Sequence, residues 1–163
     1  MSFQEAQTPE TKKAAVLPDG SPQRLFVYGS LMEGFFNYEK VFSGKVLSRT
    51  PARVRGILYH QIRKGYPAMI PGGGWVRGEF LELEDFPRLL AASDDIENYF
   101  GETGNNEYER RLSPLELLPE GIPAFAHVYW YGRSDLGSAE NPTEIIPSGD
   151  WRDYMLHRER KGG

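Results

Sequence analysis

Glycine and proline are the residues that most constrain how this chain can fold. The 163 residues include 18 glycines and 12 prolines, which interrupt the apolar segments at short intervals. Short β-branched and aromatic runs that end at such residues are typical of strands. We therefore predict an α+β fold, a small mixed β-barrel of about six strands with two or three short helices, rather than a parallel sheet with long crossover helices.

The local pattern also predicts where these elements lie. Strands are predicted at residues 24–28, 52–59, 65–71, 75–83, 109–118 and 124–131. Helices are predicted at 37–42 with Asn37 as N-cap, at 85–97 with Asp85 as N-cap, and at 151–158. The three glycines at 72–74 predict a turn between the third and fourth strands.

The predicted domain organisation has one folded unit between two tails. Residues 1–23 are mostly polar and proline-containing, which is typical of a flexible N-terminal tail. Residues 24–158 are predicted to form a single domain, because a chain of this length is the usual size of one domain. Residues 159–163 are predicted as a charged C-terminal tail.

Composition and charge exclude several classes of function. A net charge of -4 gives no electrostatic reason to bind nucleic acid. No apolar run approaches the roughly 20 residues that cross a bilayer, and no apolar signal region is present, so we expect a cytoplasmic protein without a membrane partner. The chain has no cysteine, which excludes disulfides, thiolate catalysis and Cys-based zinc sites. A small molecule is the expected partner, and the oligomeric state is not predicted.

Two features stand out once the common catalytic motifs are removed. The chain has no phosphate-binding glycine loop, no helical histidine pair and no Gly-x-Ser-x-Gly elbow, and His127 is interpreted as a structural histidine. The first feature is the turn Tyr28-Gly29-Ser30-Leu31, which directly follows a predicted strand. Glycine lets the backbone approach a ligand and leaves N–H groups free to bind an anion. The alternative is an ordinary turn.

The second feature is Glu97, at the end of the predicted helix 85–97. Phe86, Leu90, Ser93 and Glu97 are spaced by four, three and four residues, and therefore lie on the apolar face of that helix. A carboxylate in this position is either paired with a cation such as Arg110, or partly desolvated with a raised pKa that suits a general base. The spacing does not choose between them.

Five segments, in this order and spacing, resemble the gamma-glutamylcyclotransferase-like family, including its gamma-glutamylamine cyclotransferase-like members. They are FVYGSL at 26–31, GYPAMIP at 65–71, VRGEF at 76–80, DDIE at 94–97 and YERR at 108–111. The similarity runs from about residue 24 to residue 131, and SGDWR at 148–152 resembles a closing segment of some members.

The resemblance implies a mixed α+β barrel with a cavity for a gamma-glutamyl group. It implies that Glu97 is the catalytic acid and base and that Tyr28, Gly29, Ser30 and Leu31 bind the substrate, which is converted to 5-oxoproline and a free amine. Tyr66 is also expected to line the cavity, with a core aromatic residue as the alternative. No metal or organic cofactor is implied.

The chain departs from the family pattern close to Glu97, and other functions stay open. Ser93 stands where the family usually has leucine, Asn98 stands where it often has glycine, and the loop 100–107 resembles an insertion. One alternative is a non-catalytic binding module on the same fold. Another is that Asp94, Asp95 and Glu97 bind a divalent cation for hydrolysis.

Overall fold

The computed structural model describes residues 19–101 and 104–162, with side chains as far as Arg158. Within these residues there are three helices and six strands, which confirms the predicted α+β class. The helices are α1 (Phe36–Val41), α2 (Phe86–Ile96) and α3 (Trp151–Gly162). The strands are β1 (Leu25–Val27), β2 (Val46–Gln61), β3 (Tyr66–Leu83), β4 (Tyr108–Leu117), β5 (Ile122–Tyr131) and β6 (Thr143–Ile145).

The six strands form one sheet that curls into a ring. Their order is β3-β1-β5-β4-β2-β6, and the ring closes because β3 also pairs with β2. β1 runs parallel to β5 and antiparallel to β3. Because β6 pairs with β2 outside this ring, the sheet is ring-like rather than a regular barrel. The short β1 lies between two longer strands, so its end is held on both sides.

The predicted turn at 72–74 is wrong. These glycines belong to β3, which continues as one strand through both of the predicted strands 65–71 and 75–83. Ile57 pairs with Ile70 and Arg55 with Trp75, so residues 71–74 face only Gly56. The extra residues form a bulge, because β2 continues as the partner of both halves of β3.

Two predicted helix caps also differ from the structure. The first residue of α1 is Phe36, and Asn37 lies inside the helix, where its side chain donates to Ser30 instead of capping. Asp85 is at the N-cap of α2 as predicted, but its φ of 45° is left-handed and its side chain makes no capping bond. Its carboxylate pairs with Arg88 at 2.6 Å.

The core lies inside the ring and beneath α2. The largest fully buried side chains include Phe26, Phe42 and Phe86, one from a strand and two from helical segments. The buried face of α2 includes Phe86, Leu90 and Ser93, as the sequence spacing predicts. This packing directs the C-terminal end of α2 towards the end of β1. No helix among the described residues is long and apolar enough to span a membrane.

The described residues include only part of each predicted tail. Residues 1–18 of the predicted tail 1–23 lie outside the described residues, whereas Ser21 is buried and its hydroxyl lies 3.0 Å from Nε2 of His127. Helix α3 continues past residue 158 to Gly162. The tail and domain boundaries stay predictions.

Candidate active site

A cavity of about 250 Å³ lies where β1 and α2 end. Ligand pockets usually measure about 300–1,000 Å³, so this one suits a group of amino-acid size. All six site residues predicted from the sequence line it, namely Tyr28, Gly29, Ser30, Leu31, Tyr66 and Glu97. The other lining residues are Phe26, Val27, Asn37, Pro67, Ile96, Asn98, Tyr108 and Tyr129.

The turn after β1 presents backbone donors to this cavity. In the described part of the chain, the N–H groups of Gly29, Ser30 and Leu31 donate to no protein acceptor. A Cβ atom on Gly29 would lie 2.9 Å from Cγ of Pro67, so only glycine fits here without displacement. The Ser30 hydroxyl accepts a 2.7 Å hydrogen bond from Asn37, which leaves its own proton free to donate. The turn is therefore a fixed group of hydrogen-bond donors.

Glu97 occupies the C-cap of α2, in a Schellman motif. The N–H of Tyr99 donates to the carbonyl of Asp94 at 3.0 Å, and the N–H of Asn98 donates to that of Asp95 at 3.3 Å. Asn98 follows Glu97 in the left-handed conformation, with a φ of 54°. Glycine and asparagine are the residues that tolerate this conformation best. Asn98 therefore preserves the helix end where the family often has glycine.

The carboxyl group of Glu97 is held in an environment that disfavours its charge. Glu97 is half-buried and lines the cavity, and the burial of its carboxyl group raises its pKa to about 8. The nearby carboxylates of Glu107 and Asp94 contribute further to the rise. A carboxyl group with a pKa near neutrality can both accept and return a proton.

The alternative of an ion pair between Glu97 and Arg110 is contradicted. Arg110 Nε donates to Oδ1 of Asp94 at 2.8 Å, and Arg111 pairs with Glu109 at 3.0 Å. No ion pair of Glu97 occurs within residues 19–101 and 104–158. Of the two alternatives left open by the sequence, the desolvated carboxyl group is the one that the structure contains.

Four tyrosines around the cavity have their hydroxyl protons committed to the protein. Tyr28 donates to the carbonyl of Tyr129, and Tyr108 donates to the carbonyl of Pro67. Tyr66 donates to Glu107 at 2.6 Å, and Tyr129 donates to Asp94 at 2.6 Å.

Burial raises the pKa of Tyr28, Tyr108 and Tyr129, so these phenols stay neutral. A phenol that donates its one proton to the protein has only lone pairs left for a ligand. The tyrosines therefore offer acceptors, whereas the turn after β1 offers donors.

The proposed cation cluster does not form. Among the described side chains, no group of three His, Asp or Glu residues is arranged to hold a metal ion. Asp94 is bound by Arg110 and Tyr129, and Asp95 is exposed on the other side of the helix.

Sequence reasoning assigned no role at the site to three residues. Asn37 was predicted only as a helix cap, and Tyr108 was part of a recognised segment without a role. Glu107 accepts a hydrogen bond from Tyr66, but nothing in the sequence pattern indicates this contact, because Glu107 lies in a polar loop. His127 is buried and hydrogen-bonded to Ser21 and Arg110, as expected of a structural histidine.

Comparisons with known proteins identify similar chains. The family described as gamma-glutamyl cyclotransferase, AIG2-like, matches residues 25–153. The gamma-L-glutamyl-butirosin B gamma-glutamyl cyclotransferase of Niallia circulans is 28% identical over 156 residues, which cover 96% of this chain and 89% of that protein. A Halalkalibacterium halodurans protein provisionally named gamma-glutamylcyclotransferase is 36% identical over 99 residues, 58% of this chain and 78% of its own.

The fold is also similar to solved structures. YkqA from Bacillus subtilis superposes with a TM-score of 0.59 at 20% identity over 84% of this chain. The present chain spans 42% of the length of YkqA. At this identity the similarity supports the fold and carries no statement on the reaction.

Proposed function

Because this chain belongs to the gamma-glutamyl cyclotransferase, AIG2-like family, we propose that it converts a gamma-glutamyl amine or gamma-glutamyl amino acid to 5-oxoproline and the free amine. Glu97 is the general acid and base of this proposal. The observation that carries it is a carboxyl group that lines a cavity of amino-acid size and has no cationic partner among the described side chains. Its raised pKa, about 8, agrees with this role. A carboxylate needed only for stability would be expected to have a cationic partner.

The polarity of the cavity suits the zwitterionic end of a gamma-glutamyl group. The free N–H groups of Gly29 to Leu31 and the Ser30 hydroxyl can donate to a substrate carboxylate or to the γ-carbonyl oxygen. Glu97 and the phenol oxygens of the tyrosines can accept hydrogen bonds from the α-ammonium group. Donors and acceptors on different elements would thus hold the substrate in a folded conformation.

In this conformation the substrate supplies its own nucleophile. Glu97 takes a proton from the α-ammonium group, and the resulting amine attacks the γ-carbonyl carbon. The new C–N bond closes the five-membered ring of 5-oxoproline. The original amide C–N bond breaks as Glu97 returns the first proton to the leaving nitrogen, and the second proton that the ring nitrogen loses passes to the released amine, which leaves as an ammonium ion. Holding the two reacting groups of one molecule in contact can lower the barrier by about 7 kcal/mol or more. The atoms balance without water or another co-reactant.

The test is release of 5-oxoproline from a panel of gamma-glutamyl amines and gamma-glutamyl amino acids. The parent is compared with Glu97→Gln, with a chelator present throughout. We expect the substitution to reduce kcat by at least about 10²-fold, the lower end of general acid–base contributions. Asp95→Asn is the matched control, because Asp95 is an exposed carboxylate on the same helix, and it should retain activity.

Two outcomes would count against the proposal. Equal activity in the parent and in Glu97→Gln would remove Glu97 from the mechanism. If the folded parent releases no 5-oxoproline from any member of the panel, the non-catalytic binding module becomes the better interpretation of the cavity. Retained binding of a gamma-glutamyl compound without turnover would support that interpretation directly.

A further inference from the structure

Glu107 is a buried carboxylate that directly contacts two cavity residues, Tyr66 and Asn98. It is 4% exposed and ends the loop before β4. Its Oε2 atom accepts hydrogen bonds from the Tyr66 hydroxyl at 2.6 Å and from Nζ of Lys64 at 2.9 Å. Its Oε1 atom accepts a hydrogen bond from Nδ2 of Asn98 at 3.0 Å. One carboxylate thus joins β3 to the C-terminal end of α2.

The backbone of Glu107 reinforces this connection. Its N–H donates to the carbonyl of Asn98 at 3.2 Å, so Asn98 is bound to Glu107 through both its backbone and its side chain. Asn98 also lines the cavity and carries the left-handed turn of the helix end. Glycine at this position would adopt the same backbone conformation but would lack the amide that reaches Glu107.

The direction of the Tyr66 hydrogen bond determines what Tyr66 can offer a ligand. Its single proton points to Glu107, so its remaining hydrogen-bonding capacity is that of an acceptor. If Glu107 were replaced by a neutral amide, the Tyr66 hydroxyl could rotate and donate to the cavity instead. That reversal would place a donor where a substrate cation is expected.

We propose that Glu107 is a positioning residue, which holds the Asn98 turn in place and fixes the Tyr66 oxygen as an acceptor for the α-ammonium group of the substrate. The inference rests on the proposed function and assigns a role to the contact between Asn98 and Glu107. Lys64 offsets the charge of Glu107 and is held by the Tyr131 hydroxyl at 3.2 Å.

The charge of Glu107 acts on Glu97 as well. Burial alone would raise the pKa of Glu107, but hydrogen bonds from Tyr66, Asn98 and Lys64 keep it below the ordinary value, so Glu107 stays ionised. The groups that face Glu97 are the carboxylates of Glu107 and Asp94 and the neutral hydroxyls of the four cavity tyrosines. Removing the charge of Glu107 should therefore lower the pKa of Glu97.

A direct titration separates this role from a purely structural one. The ¹³C side-chain carboxyl signal of Glu97, assigned by its loss in Glu97→Gln, is followed with pH in Glu107→Gln and in the control Glu109→Gln. Glu109 lies two residues further along the chain, in β4, and its side chain is exposed. We expect the midpoint of Glu97 to fall measurably in Glu107→Gln and to stay unchanged in Glu109→Gln. Equal midpoints in the two folded variants would overturn the proposal.

A double-mutant cycle tests the connection through Tyr66. Glu107→Gln and Tyr66→Phe should each reduce kcat/KM, by about 10-fold or more, and the double variant should be within about 3-fold of the worse single variant. Effects that multiply would show that the two residues act independently and would refute the connection.

Two further comparisons keep the test decisive. If Glu107→Gln does not fold, the cycle is measured with Asn98→Gly and Tyr66→Phe, which each remove one hydrogen bond to the intact carboxylate. Coupled effects support the proposal, and multiplied effects oppose it.

The Glu97 titration needs no turnover. A parent that releases no 5-oxoproline would therefore refute the proposed function, but the effect of Glu107 on the pKa of Glu97 would still be measurable.

Discussion

Replacing Glu97 by glutamine should stabilise the protein, and the gain should grow with pH. The pKa of Glu97 rises from an ordinary value of 4.5 to about 8 in the folded chain. The folded state therefore favours the protonated carboxyl group, and this contribution to stability is fully present below pH 4.5. It is lost as the pH rises through about 8, because the unfolded chain releases the proton more readily. Glutamine resembles the neutral form at every pH.

The size of this effect follows from the same pKa difference. One pKa unit between the folded and unfolded states corresponds to about 1.4 kcal/mol, so the rise from 4.5 to about 8 sets a ceiling of roughly 5 kcal/mol. The carboxyl group opens on a cavity that water can enter, which reduces the electrostatic cost. We therefore expect Glu97→Gln to be more stable than the parent by about 1–2 kcal/mol near pH 8.5. In a domain of this size that is about 2–8 °C in Tm.

The assay is thermal unfolding of the parent and of Glu97→Gln at about pH 5 and about pH 8.5, with urea unfolding as a second measure of the same difference. Asp95→Asn is measured in parallel, because it removes an exposed carboxylate from the same helix. The difference between Glu97→Gln and the parent should be small at the lower pH and clear at the higher one. The control should show no comparable change.

One result would refute the reasoning. If Glu97→Gln is less stable than the parent at about pH 8.5, the ionised carboxylate is stabilised by a partner in solution, and Glu97 is a structural ion. A difference of the same size at both pH values would show that the substitution acts through packing rather than through the proton.

Three other predictions follow from the site. In pH–rate profiles of the parent, kcat/KM should rise with pH with a midpoint at about pH 8, the pKa of Glu97. The midpoint of the kcat profile should lie at a lower pH, because the α-ammonium group of the bound substrate favours ionised Glu97. Gly29→Ala should destabilise the protein by about 1–3 kcal/mol and reduce kcat/KM, because its Cβ would contact Pro67; unfolding and kinetics together test this. Glu79→Gln should cost about 1–3 kcal/mol by leaving Arg49 without its buried carboxylate, which Tm measurements can detect.

The fold could be predicted where the signals are local. The strand that leads into Tyr28 and the helix that begins after Asp85 have apolar runs with clear boundaries, and both are close to the predicted positions. The glycines at 72–74 were misread because pairing of β2 along both halves of β3 overrides their turn preference. Such pairing depends on residues distant in sequence, which a local pattern does not contain.

The site could be predicted only in part, for a similar reason. The spacing of Phe86, Leu90, Ser93 and Glu97 indicates burial of the Glu97 carboxyl group, but it does not show whether a cation lies near that group. That depends on Arg110 in β4, which contacts Asp94 instead. The contact between Glu107 and Tyr66 joins a loop to β3 and has no counterpart in the spacing of either segment.

The carboxylates around the cavity are better explained by chemistry than by stability. Glu97 lies near Glu107 and Asp94. Glu107 has protein partners that keep it charged, and Asp94 is bound by Arg110, whereas Glu97 has no cationic partner among the described side chains. Like charges this close disfavour ionisation of the group that lacks a partner. If only stability mattered, glutamine would serve better at position 97, as the first prediction states. A carboxyl group that costs stability and faces a cavity is the arrangement expected of a proton-transfer residue.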